Sequence, residues 1–305
     1  MTTYNSDKNM FQYTITNNSN SYSLDSDDYS ILSEAFNKWN NILTQDTRFS
    51  NTYTIQVSFK VDSLETGILG GASVQSIYYF GSFGFGDIFT ATAEITMNDL
   101  YLDSMKTSIR EDGKSTYYHV MLHEIGHLLG IGVYWSMSGA PVTTYVENNI
   151  TKYYYTGQNA LREYTSYIPD ISHTIIGIPI EDNGGSGTQN VHAEEGEEGI
   201  VSSDDRYING VFHPGLNTEL MTGWMEGYPV STPLSRISLG FLHDMGFGVD
   251  YSQADNFSIQ VSEDYKRSVF NSSNWLDLTA VSNKFCSSYT RGFIDISGGT
   301  IRTRN

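Results

Sequence analysis

Two histidines four residues apart, His123 and His127, bracket a glutamate in the run His123-Glu124-Ile125-Gly126-His127. On an α-helix, side chains four apart lie one above the other, so both imidazoles can reach one ion. Zinc takes neutral imidazoles and a third protein ligand, and in catalytic sites keeps a fourth position for water. Glu124, next to the first histidine, is spaced to reach that water rather than the metal, and would take its proton as a general base. The flanks are apolar, and Gly130 stands three residues after His127, where a helix would stop. The competing reading is two hydrogen-bonded histidines on a buried helix face.

A third ligand has to come from elsewhere. Five other histidines are present: His119, His173, His192, His213 and His243. His119 shares the helix face, but eight residues place it about 12 Å from His127 along the axis. Ligand bonds near 2 Å cannot span that distance, so His119 is expected to be a packed residue. Val133 stands where a third histidine six residues after His127 would have extended the pattern. The ligand is therefore expected further along the chain.

The elements that must position these groups are legible in part. Ser26-Asp27-Asp28 is an N-cap cluster, followed by Leu32, Ala35, Phe36, Trp39, Ile42 and Leu43 at helical spacing. Residues 53–61 alternate strictly, with Tyr53, Ile55, Val57, Phe59 and Val61 on one side, which predicts a strand. The metal-bearing helix is expected from Ser115 or Thr116 to Leu129. A third helix is expected from Ser231-Thr232-Pro233, with proline in its first turn, to Gly246. Residues 93–97 and 175–180 read as short strands, and 136–175 as loops with one short helix. Residues 1–25 show no period. The glycine-rich stretch from Leu69 to Gly86 reads as loop, and it lacks the Gly-Lys-Ser/Thr ending of a phosphate cradle.

Composition bounds the rest. The chain has 305 residues, 17 Lys+Arg against 35 Asp+Glu, and a net charge of −18. That balance excludes a nucleic-acid grip, because no positive field attracts phosphates. With 17% charged and 13% aromatic residues, the chain has the apolar mass of a folded protein rather than a disordered polyelectrolyte. No run of about 18 or more apolar residues exists to span a bilayer, and the first residues lack the basic-then-apolar order of a secretory signal. A soluble protein is expected, with its compartment left open. The single cysteine, Cys286, cannot close an internal disulfide.

HEIGHLLGIGVYW over 123–135, followed by YTGQNALREYTSY, resembles the leishmanolysin family of metzincin zinc peptidases, especially its bacterial-type relatives. EDNGGSGTQNVH, ending at His192, is similar to the family's glycine-rich turn before its third histidine. NTELMTGW resembles the Met-turn, with Met221 as its methionine, and PLSRISLGFLHDMGFGVDY resembles the closing helix. The resemblance implies an α+β metzincin-like fold. Its N-terminal α/β lobe would cover 26–135 and contain the zinc helix. A largely irregular C-terminal lobe would cover 136–250, with a substrate cleft between the two. Residues 1–25 and 251–305 would be extensions, the latter of unassigned role.

By the same resemblance, His123, His127 and His192 hold one catalytic Zn2+, Met221 packs beneath it, and Glu124 is the base of a zinc endopeptidase acting on protein or peptide substrates. A binding protein on the same fold, or a different zinc hydrolase, are the alternatives; an intact Glu124 speaks against the first. Two features depart from the family. The stretch between His192 and Met221 is long and contains His213, a rival third ligand. Family members outside bacteria are usually disulfide-rich, and Cys286 lies near the wrong end for an N-terminal cysteine latch. The acidic run Glu194-Glu195-Gly196-Glu197-Glu198 in the long stretch is expected to be a solvated loop. His173 and His243 are expected to be ordinary surface or core histidines.

Overall fold

The computed structural model describes residues 2–4, 11–20, 22–44, 53–79, 84–147, 150–168, 175–182, 187–196, 207–208, 211–259 and 292–293. The strands of the first half are β1 (Thr2–Tyr4), β2 (Phe11–Asn17), β3 (Leu43–Thr44), β4 (Tyr53–Asp62), β5 (Gly70–Tyr79) and β6 (Ile88–Asn98). Those of the second half are β7 (Val142–Glu147), β8 (Ile150–Tyr155), β9 (Ile178–Pro179), β10 (Tyr207–Ile208), β11 (Val211–Phe212), β12 (Trp224–Met225), β13 (Gly248–Val249) and β14 (Gly292–Phe293). The helices are α1 (Ser26–Ile42), α2 (Leu102–Thr107), α3 (Thr116–Leu128), α4 (Gln158–Ser166) and α5 (Arg236–Asp244). The described residues thus form a mixed α+β protein with five helices and several sheets. None of these helices is long and apolar enough to cross a membrane.

α1 starts one residue earlier than the cap cluster suggested. Asp25 Oδ1 accepts from the Asp27 and Asp28 amides at 2.9 and 2.8 Å, and Asp28 Oδ2 accepts from the Asp25 amide at 3.0 Å. This reciprocal box satisfies donors that a helix start leaves open. The apolar stripe Leu32, Ala35, Phe36, Trp39 and Ile42 is buried. Trp39 crosses to α3, where its indole Nε1–H donates to the Leu122 carbonyl at 2.8 Å.

The main sheet has five strands in the order β1-β2-β4-β6-β5. β2, β4 and β6 run parallel, and β5 closes one edge antiparallel to β6. Two sequence expectations change here. Residues 11–17, in which no period is legible, supply β2 with Tyr13 and Ile15 buried. Its outward residues are Gln12, Thr14 and Thr16, and an inward tyrosine does not stand out among them as an apolar signal. The second correction is β5, expected as loop. Gly70 needs no turn; a Cβ there would lie 3.1 Å from Val120 Cγ1 and 3.0 Å from Met97 Sδ. The glycine lets α3 lie close against the strand. β6 also extends well beyond the expected 93–97.

The other half is more regular than expected at one point and less at another. β7 (Val142–Glu147) and β8 (Ile150–Tyr155) pair antiparallel where loop was expected; their Thr, Tyr and Val content suits a pleated, half-buried surface. The short helix expected before 175 is α4. The strand expected over 175–180 shrinks to β9, beside a single bridge between Ile180 and Ala193. α5 begins at Arg236 rather than near Pro233, because Ser235 is the cap and donates both its amide and its hydroxyl to Glu219. The Pro233 carbonyl accepts from Leu220 at 3.0 Å, so the residues before Ser235 lie along the 217–222 turn. α4 lacks a side-chain cap of its own; Asp244, at the end of α5, accepts from the Asn159 and Ala160 amides at 2.8 and 3.1 Å instead. Of the C-terminal segment, Tyr251–Gln253 form a 3-10 turn held by the Asp250 amide donating to the Ile42 carbonyl, and β14 pairs with β12.

Candidate metal centre

α3 is built to be buried. Ser115 caps it by accepting from the Tyr118 amide at 3.1 Å, and all of its residues are inaccessible or nearly so. It ends as expected, with Gly130 just beyond it in the left-handed region at φ +110°. His123 and His127 project from one face with ring centroids 4.5 Å apart and Nε2 atoms 2.7 Å apart.

The chain after α3 makes room for a third histidine. Gly132 has φ +76°, and a Cβ there would sit 1.8 Å from the Val191 carbonyl oxygen. Only glycine permits that approach, and the residue after Val191 is His192. The loop carrying it is closed by the Glu181 amide donating to the His192 carbonyl at 3.0 Å and the Asn190 amide to the Glu181 carbonyl at 2.8 Å. Ala193 then donates to the Met221 carbonyl at 3.2 Å and bridges to Thr222. His192 Nε2 ends 3.0 Å from His127 Nε2, completing a group of three buried imidazoles.

The hydrogen bonds behind these rings determine their tautomers. Each Nδ1 faces a backbone carbonyl, which can only accept: Leu220 O for His123 at 2.5 Å, Ile131 O for His127 at 2.9 Å, Thr188 O for His192 at 3.0 Å. The protons therefore sit on Nδ1, and three Nε2 lone pairs face one another. Burial lowers the basicity of all three, and the rings disfavour charge on one another. His127 is pushed down to about 4. Three neutral nitrogens converging in this way repel unless a cation lies among them. Tetrahedral zinc, with bonds of about 2.0–2.1 Å, would separate such ligands by about 3.3 Å, a few tenths more than the distances found. The donor set, and the carbonyl behind each ring, therefore fit a zinc ion.

Glu124 adds the second half of the chemistry. It is fully buried, and neither carboxylate oxygen has a hydrogen-bond partner among the described residues. Burial pushes its carboxyl well above the usual carboxylate range. An unpartnered buried carboxylate is costly enough to need a reason. Met221 lies under the same stretch of helix: a Cβ on Gly126 would be 2.6 Å from its sulfur.

The other histidines are accounted for separately. His213 donates from Nδ1 to Val211 O and accepts from the Ile176 amide on Nε2, against the edge of Tyr154, apart from the triad. His119 is packed as expected, between Asp112 and the Thr232 hydroxyl. His243 meets the Tyr251 hydroxyl. His173 and Cys286 lie outside the described residues. One expectation is overturned: Glu194 and Glu195 are buried rather than solvated. Backbone bonds from Glu194 to Pro179, and from Leu216 and Asn217 to Glu194 and Glu195, draw this stretch into the fold. Glu197 and Glu198 lie outside the described residues. The carbonyls of Leu220, Ile131 and Thr188 leave no signal in the sequence, because any residue supplies a carbonyl. No protein-family model matches the chain, and no curated protein matches it.

Proposed function

We propose that this protein is a zinc-dependent endopeptidase of the leishmanolysin-like metzincin type. The observation that carries the reading is the convergence of three unprotonated Nε2 atoms, from His123, His127 and His192, beside the buried, unpartnered carboxylate of Glu124. When bound, zinc supplies a Lewis acid that lowers the pKa of its water and polarises a scissile carbonyl. The three histidines would hold the ion through their Nε2 atoms. Glu124 would accept a proton from the attacking water and then donate it to the leaving amine. The metzincin assignment itself rests on the order of sequence motifs: the zinc helix, the turn before His192, the turn at Met221 and the closing α5. The substrate is a protein or peptide.

The test is metal content and proteolysis together. Purified protein should hold one zinc per chain and digest unfolded casein until a chelator is added. Glu124→Gln should retain its zinc and lose about 10²–10⁴-fold in turnover. Undiminished cleavage by the Glu124→Gln protein would overturn the mechanism. Zinc-loaded wild type that cleaves amide or ester substrates but no peptide would replace it with another hydrolase.

A further inference from the structure

Glu219 sits outside the metal centre, and its carboxylate gathers four donors. Oε1 accepts from the Ser235 amide at 3.0 Å, the Ser235 hydroxyl at 2.7 Å and the Ser238 hydroxyl at 2.7 Å. Oε2 accepts from the Met221 amide at 2.6 Å. The residue is fully buried. One carboxylate therefore ties the first turn of α5 to the 219–222 turn.

That turn bonds one of the three histidines and the neighbour of another. Its Leu220 carbonyl receives His123 Nδ1–H, and its Met221 carbonyl receives the Ala193 amide, next to His192. Its methionine sulfur packs where Gly126 leaves space between His123 and His127. The Glu219 carbonyl also accepts from the Thr222 amide and hydroxyl, at 3.3 and 3.0 Å, which closes the turn on itself. Resting on the zinc reading above, we propose that Glu219 is the positioning residue of the centre: by anchoring this turn to α5 it sets the ring orientation of His123 and the placement of His192, and so tunes metal affinity without touching the metal.

The chemistry of the carboxylate makes this testable by an isosteric change. In Glu219→Gln, an amide whose oxygen faces Ser235 and Ser238 turns its NH2 toward the Met221 N–H. Turned the other way, it sets that NH2 against the Ser235 N–H. Either orientation leaves two donors face to face, and the turn must shift. The experiment loads wild type, Glu219→Gln and Ser238→Ala with Co2+ in place of zinc. It reads the visible d–d spectrum, Co2+ affinity by chelator competition, and thermal unfolding of the metal-free proteins. Glu219→Gln is expected to bind Co2+ about 10–100-fold more weakly, with a shifted spectrum. Ser238→Ala, which removes a single donor, keeps the fold and should lose about threefold.

A purely structural role would lower the unfolding temperature while leaving the affinity and spectrum of the folded protein unmoved, and that result overturns the proposal. If Glu219→Gln does not fold, a Ser238→Ala protein with wild-type affinity and spectrum overturns it equally. Wild type that binds neither Co2+ nor zinc sinks the metal reading and this proposal with it; wild type and Glu219→Gln that bind alike sink this proposal alone.

Discussion

His123 and His127 come from a little over one turn of α3, whereas His192 arrives 65 residues after His127 from a segment whose described residues carry little regular structure. The expected contrast is that the helical pair is locally determined and the third ligand is not. The hydrogen bonds divide them differently. His127 and His192 each donate to a carbonyl four residues away in their own segment, Ile131 and Thr188. His123, in mid-helix, donates to Leu220, 97 residues distant. Helix geometry therefore sets where a ligand nitrogen stands, but the orientation of the ring depends on whichever acceptor lies behind it. In His123 that acceptor belongs to the other half of the molecule.

The largest expected effect tests whether the irregular segment supplies a full ligand. His192→Ala and His127→Ala should each weaken zinc binding by more than about 100-fold, while His213→Ala should leave it unchanged. Competition with a chelator measures all three, and metal lost from His213→Ala but kept by His192→Ala would reverse the assignment. Next in size, Gly132→Ala forces a Cβ against the Val191 carbonyl at a positive φ. It should destabilise the protein by about 2 kcal/mol or more and weaken zinc binding, with the α3 helix itself unharmed. Urea unfolding and zinc titration check this together, and a Gly132→Ala protein of normal stability and affinity would show that the His192 loop does not depend on that clearance. The smallest effect is at α4. Asp244→Ala removes the borrowed cap and should cost about 1 kcal/mol in urea unfolding, with zinc affinity unchanged. An affinity loss there would extend the positioning network to the α4–α5 pair.

Legibility follows the range of the interactions. The buried stripe of α1, the alternation of β4, and α3 with its glycine stop are all written at spacings of two to four residues, so they can be read directly. β2 escaped because its inward tyrosine lies among Gln and Thr. β5 escaped because glycine ordinarily marks a turn, and here it serves close packing against Val120. The start of α5 differs from the expected one because Pro233 is a good first-turn residue in isolation, while Glu219, at a distance, holds Ser235 as the cap. Glu194 and Glu195 look like a solvated acidic run until backbone bonds from Leu216 and Asn217 are known.

By itself, the sequence determined that His123 and His127 share one helix face, with Glu124 on the same helix, and that both imidazoles can reach one ion, because a spacing of four residues is a fixed geometry on an α-helix. It left His213 as a rival to His192, which was favoured only through the resemblance of the glycine-rich turn leading into it. Only the tertiary structure separated them. Clearance at Gly132 and the bridge from Ala193 to the Met221 turn bring His192 to the other two rings, while His213 spends both its nitrogens on Val211 and Ile176. The physical reason is that such contacts join residues far apart in the chain, and no local spacing records them.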